Sequence, residues 1–188
     1  MLYFTDFFLT FLPHILHLMA TEQSTRYIFL VDDEPIQNEM LKDYIADRFQ
    51  YKIKTYESGE DALKDMHLDP EIVVLDFHLN SHLPNAQNGV EVLKKIKEKH
   101  PGVQIIMLSG QDKLEVAVDS MKYGAYDYVI KGETAFSRME NLLNNINELH
   151  NLKGANNIYK KIITFLCLSI VVVIFLSIYI VKVKHWGD

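Results

Sequence analysis

Between Arg26 and about Leu152, five short runs rich in β-branched, aromatic and aliphatic residues alternate with segments of helical periodicity. The runs are Tyr27–Val31, Lys52–Tyr56, Ile72–Leu75, Gln104–Leu108 and Tyr128–Ile130. Several are nearly unbroken apolar blocks, the pattern of parallel strands covered on both faces. A chain that repeats β then α five times has few architectures open to it. The expected one is α/β: a doubly wound, five-stranded parallel sheet in the order 2-1-3-4-5, flavodoxin-like, with right-handed crossovers.

The helical segments carry recognisable ends. Pro35 suits the first turn of a helix over IQNEMLKDYIADRF. Ser58 with Asp61 three residues on resembles a capping box for GEDALKDM, Asp standing in for Glu or Gln. Gly89 opens VEVLKKIKEKH, which Pro101-Gly102 stops, and the segment from Lys113 to Tyr123 ends at Gly124. A last helix from Thr134 to about His150 places Phe136, Met139, Leu143, Ile146 and Leu149 on one stripe.

In doubly wound sheets a ligand site forms outside the carboxyl ends of the strands. The residues expected there are Asp32 and Asp33 after the first run, Asp76 after the third, Ser109 after the fourth and Lys131 after the fifth. Runs one and three are neighbours in the 2-1-3-4-5 order, so three carboxylates crowd one place. Like charges that close are costly unless a cation joins them. Hard oxygen ligands in small number suit Mg²⁺, which keeps several waters and accepts phosphate oxygens. An ionised Asp76 beside that ion is a nucleophile for a phosphoryl group. Lys131 can pair with Asp76 and then with phosphoryl oxygens, and Ser109 can donate a hydrogen bond to one. Taken singly, each has a plain structural reading: an acidic helix cap, a loop acid, a capping serine, a solvated lysine. Their joint occurrence at four strand ends points to the chemistry.

FLVDDEP, VVLDF, IIMLSG and GAYDYVIK, in that order, resemble the receiver domain of two-component response regulators, over Arg26 to about His150. The resemblance implies that Asp76 accepts a phosphoryl group from a phosphohistidine on a sensor histidine kinase or a histidine phosphotransfer protein. It implies that Asp32, Asp33, Asp76 and the backbone carbonyl of His78 hold Mg²⁺. It likens Lys131 to the family's lysine, Ser109 to the switch Thr/Ser, and Tyr128 to the aromatic switch on the fifth strand. On residues alone, Tyr128 reads equally well as a half-buried strand aromatic.

Two features depart from the family pattern. Gly132 stands where a proline with a cis peptide usually follows the lysine. A cis bond without proline costs about 2.5–4 kcal/mol, so a trans Lys131–Gly132 bond is expected. The stretch HLNSHLPNAQN before Gly89 is longer than usual and carries His78 and His82. A solvated loop is the simpler reading of these histidines than metal ligation.

The far end of the chain is different in kind. Ile162 to Val181 is a run of twenty residues without a charge, bracketed by Lys160, Lys161, Lys182 and Lys184, with Tyr159, Tyr179 and Trp186 at interfacial places. A helix of that length crosses roughly 30 Å, the hydrocarbon thickness of a bilayer. Residues 1–18 are also apolar but hold Asp6, Pro13, His14 and His17. Three readings compete there: a second span, a signal peptide, or sequence upstream of a native start at Met19. The polar lead that follows Met19 favours the last. The expected organisation is a leader over 1–25, a receiver domain over 26–150, a linker over 151–159, a transmembrane helix over 160–184 and a tail over 185–188.

A net charge of −6 argues against a broad nucleic-acid surface, and a single cysteine, Cys167, excludes an intrachain disulfide. No helix-turn-helix or catalytic segment follows His150. The expectation is therefore a membrane-anchored, single-domain receiver, cytoplasmic in its soluble part, that is a phosphoacceptor and not a turnover enzyme. It would signal to an unknown downstream protein by contact around Lys113 to Leu149, or by onward phosphotransfer. The alternative is a phosphate-independent docking adaptor of the same fold. A Mg²⁺-dependent phosphatase of the haloacid-dehalogenase type would want Asp-x-Asp, and Glu34 stands in the third place.

Overall fold

The computed structural model describes residues 25–79, 88–110 and 114–185. Two compact units divide the described chain, one running to Ile146 and the other beginning at Asn147. Residues 1–24 of the expected leader, together with His82, Lys113 and Trp186, lie outside the described residues.

The first unit alternates β1 (Tyr27–Val31), α1 (Pro35–Ala46), β2 (Lys52–Tyr56), α2 (Gly59–Lys64), β3 (Ile72–Asp76), α3 (Gly89–Lys99), β4 (Gln104–Ser109), α4 (Leu114–Lys122) and β5 (Asp127–Ile130). A helix α5 begins at Ala135. The sheet has five strands in the order β2-β1-β3-β4-β5, all parallel, with Val31 beside both Tyr56 and Leu75 and with Asp76 beside Leu108.

The near-continuous apolar runs are explained by burial on both faces. Ile28, Leu30, Val74 and Ile106 point into one core with Leu41 and Ile45 of α1 and Met139 and Leu143 of α5. Their neighbours Phe29, Val31, Val73 and Ile105 point into a second core with Ala62, Val92 and Leu93. Period-two alternation sends adjacent residues to opposite layers, so both must be apolar. Each such side chain contributes on the order of 1.5–3 kcal/mol when fully buried.

Several expected boundaries move. Strands β3 and β4 take in Asp76 and Ser109 as their last residues, so these two side chains sit on the sheet and not in the loops after it. Helix α2 stops at Lys64 and tightens into a 3₁₀ turn over Asp65–Leu68, the usual way of closing a short last turn. Ser58 caps α2 by accepting from the Asp61 N–H at 3.2 Å, the forward half of the box. The complete capping box is at α3, where Asn88 and Glu91 bond each other's backbone N–H. Gly124 ends α4 with φ +92°, and Ala125 N and Gly124 N donate to Ser120 O and Met121 O, the Schellman arrangement that a left-handed glycine permits.

The last helix differs most from expectation. It runs from Ala135 to His185 without the break expected near His150. No proline interrupts it, and the single Gly154 costs only about 1 kcal/mol of helix propensity. Leu149 is not part of the packed stripe: it is 49% exposed, while Leu142 is buried beside Leu143. The helix carries an 18-residue window of mean hydropathy 2.8, none of it buried. Thr164, Ser169 and Ser177 donate their hydroxyls to Lys160 O, Leu166 O and Val173 O, each at 2.8 Å. Polar groups satisfied within their own helix meet the condition for lying in hydrocarbon.

Candidate functional site

Asp32 follows β1 directly, and its peptide N–H donates to Tyr56 O at 3.1 Å, extending the β1–β2 ladder by one bond. Its carboxylate is buried. Oδ1 accepts from Glu34 N at 2.9 Å, the turn that precedes Pro35 at the start of α1. Oδ2 accepts from Lys131 Nζ at 2.7 Å.

Asp76 ends β3, between β1 and β4, and is also buried. Its Oδ2 accepts from the His78 N–H at 2.7 Å, and its Oδ1 lies 2.9 Å from Lys131 Nζ as an ion pair. The chain beyond it is fixed by Phe77 N donating to Leu108 O and Gly89 N donating to Phe77 O, both at 2.9 Å. Gly89 is required sterically: a Cβ there would come within 2.2 Å of Asp76 O.

Lys131 reaches both carboxylates because its own N–H donates to Ser109 O at 2.7 Å, continuing the β4–β5 ladder past Ile130. Ser109, the last residue of β4, is 1% exposed. Tyr128 lies opposite Met107 on β5, half-buried against the core that holds Phe29. The Lys131–Gly132 bond is trans, as expected, since the described chain has no cis peptide.

Carboxylate oxygens of Asp32, Asp33 and Asp76 lie within 4.8 Å of one another. Burial pushes the Asp32 carboxyl above its ordinary range, and its hydrogen bond from Lys131 only partly offsets this. Burial by itself would lower the Lys131 ammonium, but its bonds to Asp32 and Asp76 hold it raised. One ammonium is shared between two buried carboxylates, and the carboxylate of Asp33 lies beside them. An oxygen-only donor set of this kind fits a hard divalent cation such as Mg²⁺.

The residues singled out from sequence thus meet at one sheet edge: Asp32, Asp33, Asp76 and Lys131 in mutual reach, Ser109 tied to Lys131 through the main chain. Of His78, the described contact to Asp76 is the N–H. Two residues escaped the sequence reading. Gly89 was recognised only as a helix start, though it also underlies the Asp76 peptide. Asn38, buried on α1, donates to Asp32 O and Tyr56 O. The available signal was its position: a polar residue three before Leu41 and seven before Ile45 on the inward face.

The family model for the response regulator receiver domain matches residues 28–146. Chemotaxis protein CheY of Listeria monocytogenes is 30% identical over 105 residues, a match covering 55% of this chain and 84% of that protein. Nitrogen assimilation regulatory protein NtrX of Azorhizobium caulinodans is 33% identical over 105 residues, covering 55% of this chain but 22% of that protein. The chain spans between 22% and 44% of the length of the first curated relatives it matches. Among solved structures, the receiver domain of NtrX from Brucella abortus aligns with a TM-score of 0.57 at 28% identity, over 64% of this chain and 98% of that one. The signal receiver domain of a putative LuxO repressor from Vibrio parahaemolyticus aligns with a TM-score of 0.60 at 23% identity, over 69% and 95%, a likeness of fold. Receiver domains bind Mg²⁺ through acidic residues and work with histidine kinases or phosphotransfer proteins. With the family model covering all five strands but for Tyr27, and every strand-end residue of the site, the chain belongs to the response regulator receiver domain family.

Proposed function

We propose that Asp76 accepts a phosphoryl group from a phosphohistidine, on a histidine kinase or phosphotransfer protein, in a domain anchored to a membrane by the apolar part of α5. The observation that carries this is the position of the Asp76 carboxylate, 2.9 Å from Lys131 Nζ and within 4.8 Å of the Asp32 and Asp33 carboxylates. Asp32, Asp33, Asp76 and the main-chain carbonyl of His78 would hold Mg²⁺. When bound, that ion offsets the carboxylate charge and the charge of the phosphoryl oxygens.

In the transfer, a carboxylate oxygen of Asp76 forms the O–P bond as the P–N bond of the donor breaks. The bonding electron pair leaves with the imidazole nitrogen, which takes a proton from solvent. Lys131 is placed to exchange part of its pairing with Asp76 for a phosphoryl oxygen, and the Ser109 hydroxyl to donate to another. The chain acts as a phosphoacceptor and not a turnover enzyme; water later hydrolyses the acyl phosphate, releasing inorganic phosphate and restoring the Asp76 carboxylate.

Output runs through protein contact at α4 and β5, or through onward phosphotransfer. Leu114, Val118 and Met121 stand at helical spacing and are exposed, Leu114 at 76%, and Ile130 on β5 is exposed as well. Membrane anchoring is supported by the hydropathy of α5 and by its internally satisfied hydroxyls. The receiver then lies on the cytoplasmic side, where kinases find their nucleotide.

Incubating the full chain in detergent with acetyl phosphate and Mg²⁺ tests the reading. A mass gain of one phosphoryl group is expected, lost in Asp76→Ala. No gain in the wild type, or an undiminished gain in Asp76→Ala, overturns it.

A further inference from the structure

Of the three buried positions on α1, Asn38, Leu41 and Ile45, only the first is polar. Asparagine is a weak helix former, and an apolar residue would serve this inward face better. Its amide carries two hydrogens, and both are committed to the strand ends: Nδ2 donates to Asp32 O at 2.9 Å and to Tyr56 O at 3.0 Å.

The two carbonyls differ in need. Tyr56 O already accepts from Asp32 N at 3.1 Å, whereas no main-chain N–H among the described residues reaches Asp32 O. The Asp32 peptide is therefore held from both sides, by Tyr56 through its N–H and by Asn38 through its oxygen. The footing is firm. The Tyr56 hydroxyl donates to Asp65 Oδ2 at 2.9 Å, and its ring packs on Phe29 with centroids 4.9 Å apart. Asn38 itself is fixed by the first turn of α1, where its N–H donates to Glu34 O at 3.3 Å.

We infer that Asn38 is a positioning residue for a divalent cation: by clamping the Asp32 peptide it sets where the Asp32 and Asp33 carboxylates stand relative to Asp76. This rests on the Mg²⁺ reading above. Asn38 touches neither the cation nor a carboxylate; it acts through the main chain that carries two of them. The alternative is a buried amide that supports only the fold. The two differ in what its removal does. Loss of a group that orients a metal ligand weakens affinity about 10–100-fold, whereas loss of a core contact lowers stability and leaves the affinity of the folded site alone.

The test is Mg²⁺ titration calorimetry on the full chain in detergent, with thermal unfolding in parallel. Asn38→Leu keeps the branched shape and removes both donors, at the cost of some added bulk; Asn38→Ala leaves room for a water and serves should the leucine variant not fold. Leu41→Ala, one turn further on the same buried face, is the stability control. The expected result is a Kd for Mg²⁺ raised about tenfold in the Asn38 variants and unchanged in Leu41→Ala, although the control unfolds at least as easily. Phosphorylation by acetyl phosphate should need correspondingly more Mg²⁺ and reach the wild-type extent at saturation. An unchanged Kd in a folded Asn38 variant, or an equal rise in Leu41→Ala, overturns the inference while leaving the Mg²⁺ site intact. A wild type that takes up no Mg²⁺ overturns both.

Discussion

Lys131 Nζ stands 2.9 Å from Asp76 Oδ1, although the strands that carry these residues are not neighbours. Strand β4 separates them, and the lysine crosses it from the end of β5 to reach a carboxylate at the end of β3, touching Asp32 at the end of β1 as well. Three strand ends are joined by one ammonium.

Removing that ammonium should therefore be expensive. Lys131→Met leaves two buried carboxylates without a cation, and breaking a buried pair this way costs about 3–5 kcal/mol. We expect a loss near the lower end, about 3 kcal/mol, because the lysine is partly exposed. Urea unfolding without Mg²⁺ measures it. Adding Mg²⁺ should narrow the gap, since a ligand of the folded state stabilises by mass action; a gap that Mg²⁺ leaves untouched would count against a shared site.

Two glycines separate packing from chemistry. A Cβ at Gly59 would meet Val92 Cγ2 at 2.3 Å, and one at Gly89 would meet Asp76 O at 2.2 Å. Both alanine variants should lose about 1–3 kcal/mol from overpacking. Only Gly89→Ala displaces the phosphoacceptor's own peptide, so it alone should slow phosphorylation by acetyl phosphate. Equal rates in the two variants would show that the Asp76 peptide tolerates the displacement.

The alkaline limit of stability should follow two tyrosines. Burial, then the charge of Glu71, pushes Tyr51 up to about 12. Burial, then its hydrogen bond to Asp65, raises Tyr56 as well. An unfolded tyrosine gives up its proton near pH 10. Above that pH the unfolded chain binds fewer protons than the folded one, so the stability slope is negative. Stability present below pH 10 should decline up to about pH 12 for Tyr51. The melting temperature should fall across that window, and Tyr51→Phe should flatten the fall. Parallel curves for wild type and variant would refute the assignment.

The apolar segment of α5 makes its own prediction. Arginine at the centre of a membrane helix costs about 2.5–3.5 kcal/mol on insertion. Val172→Arg should move the chain from the carbonate-resistant membrane fraction to the extractable one, and Tyr27→Phe, on β1 of the receiver unit, should not. A wild-type chain that carbonate extracts freely would remove the anchor.

Strand content and topology were legible in the residues because both faces of this sheet are covered, which forces apolar side chains at successive positions such as Ile28 and Phe29. The strand-end acids, Ser109 and Lys131 were legible because each covered apolar run breaks off at a polar residue, although Asp32, Asp76 and Ser109 are themselves buried. Turn chemistry carried Pro35 and Gly124. Tertiary structure alone decided the rest. Whether Asp76 and Ser109 belong to strand or loop depends on ladder bonds made by other strands. The Asn38 clamp joins residues eighteen positions apart at β2 and six at β1, and no local pattern encodes a distance of that kind. The demand for glycine at position 89 comes from the approach of a backbone carbonyl thirteen residues earlier, Asp76 O. Periodicity fixes which face of a helix is apolar; it takes the packed neighbours to decide that Leu142 is buried and Leu149 is not.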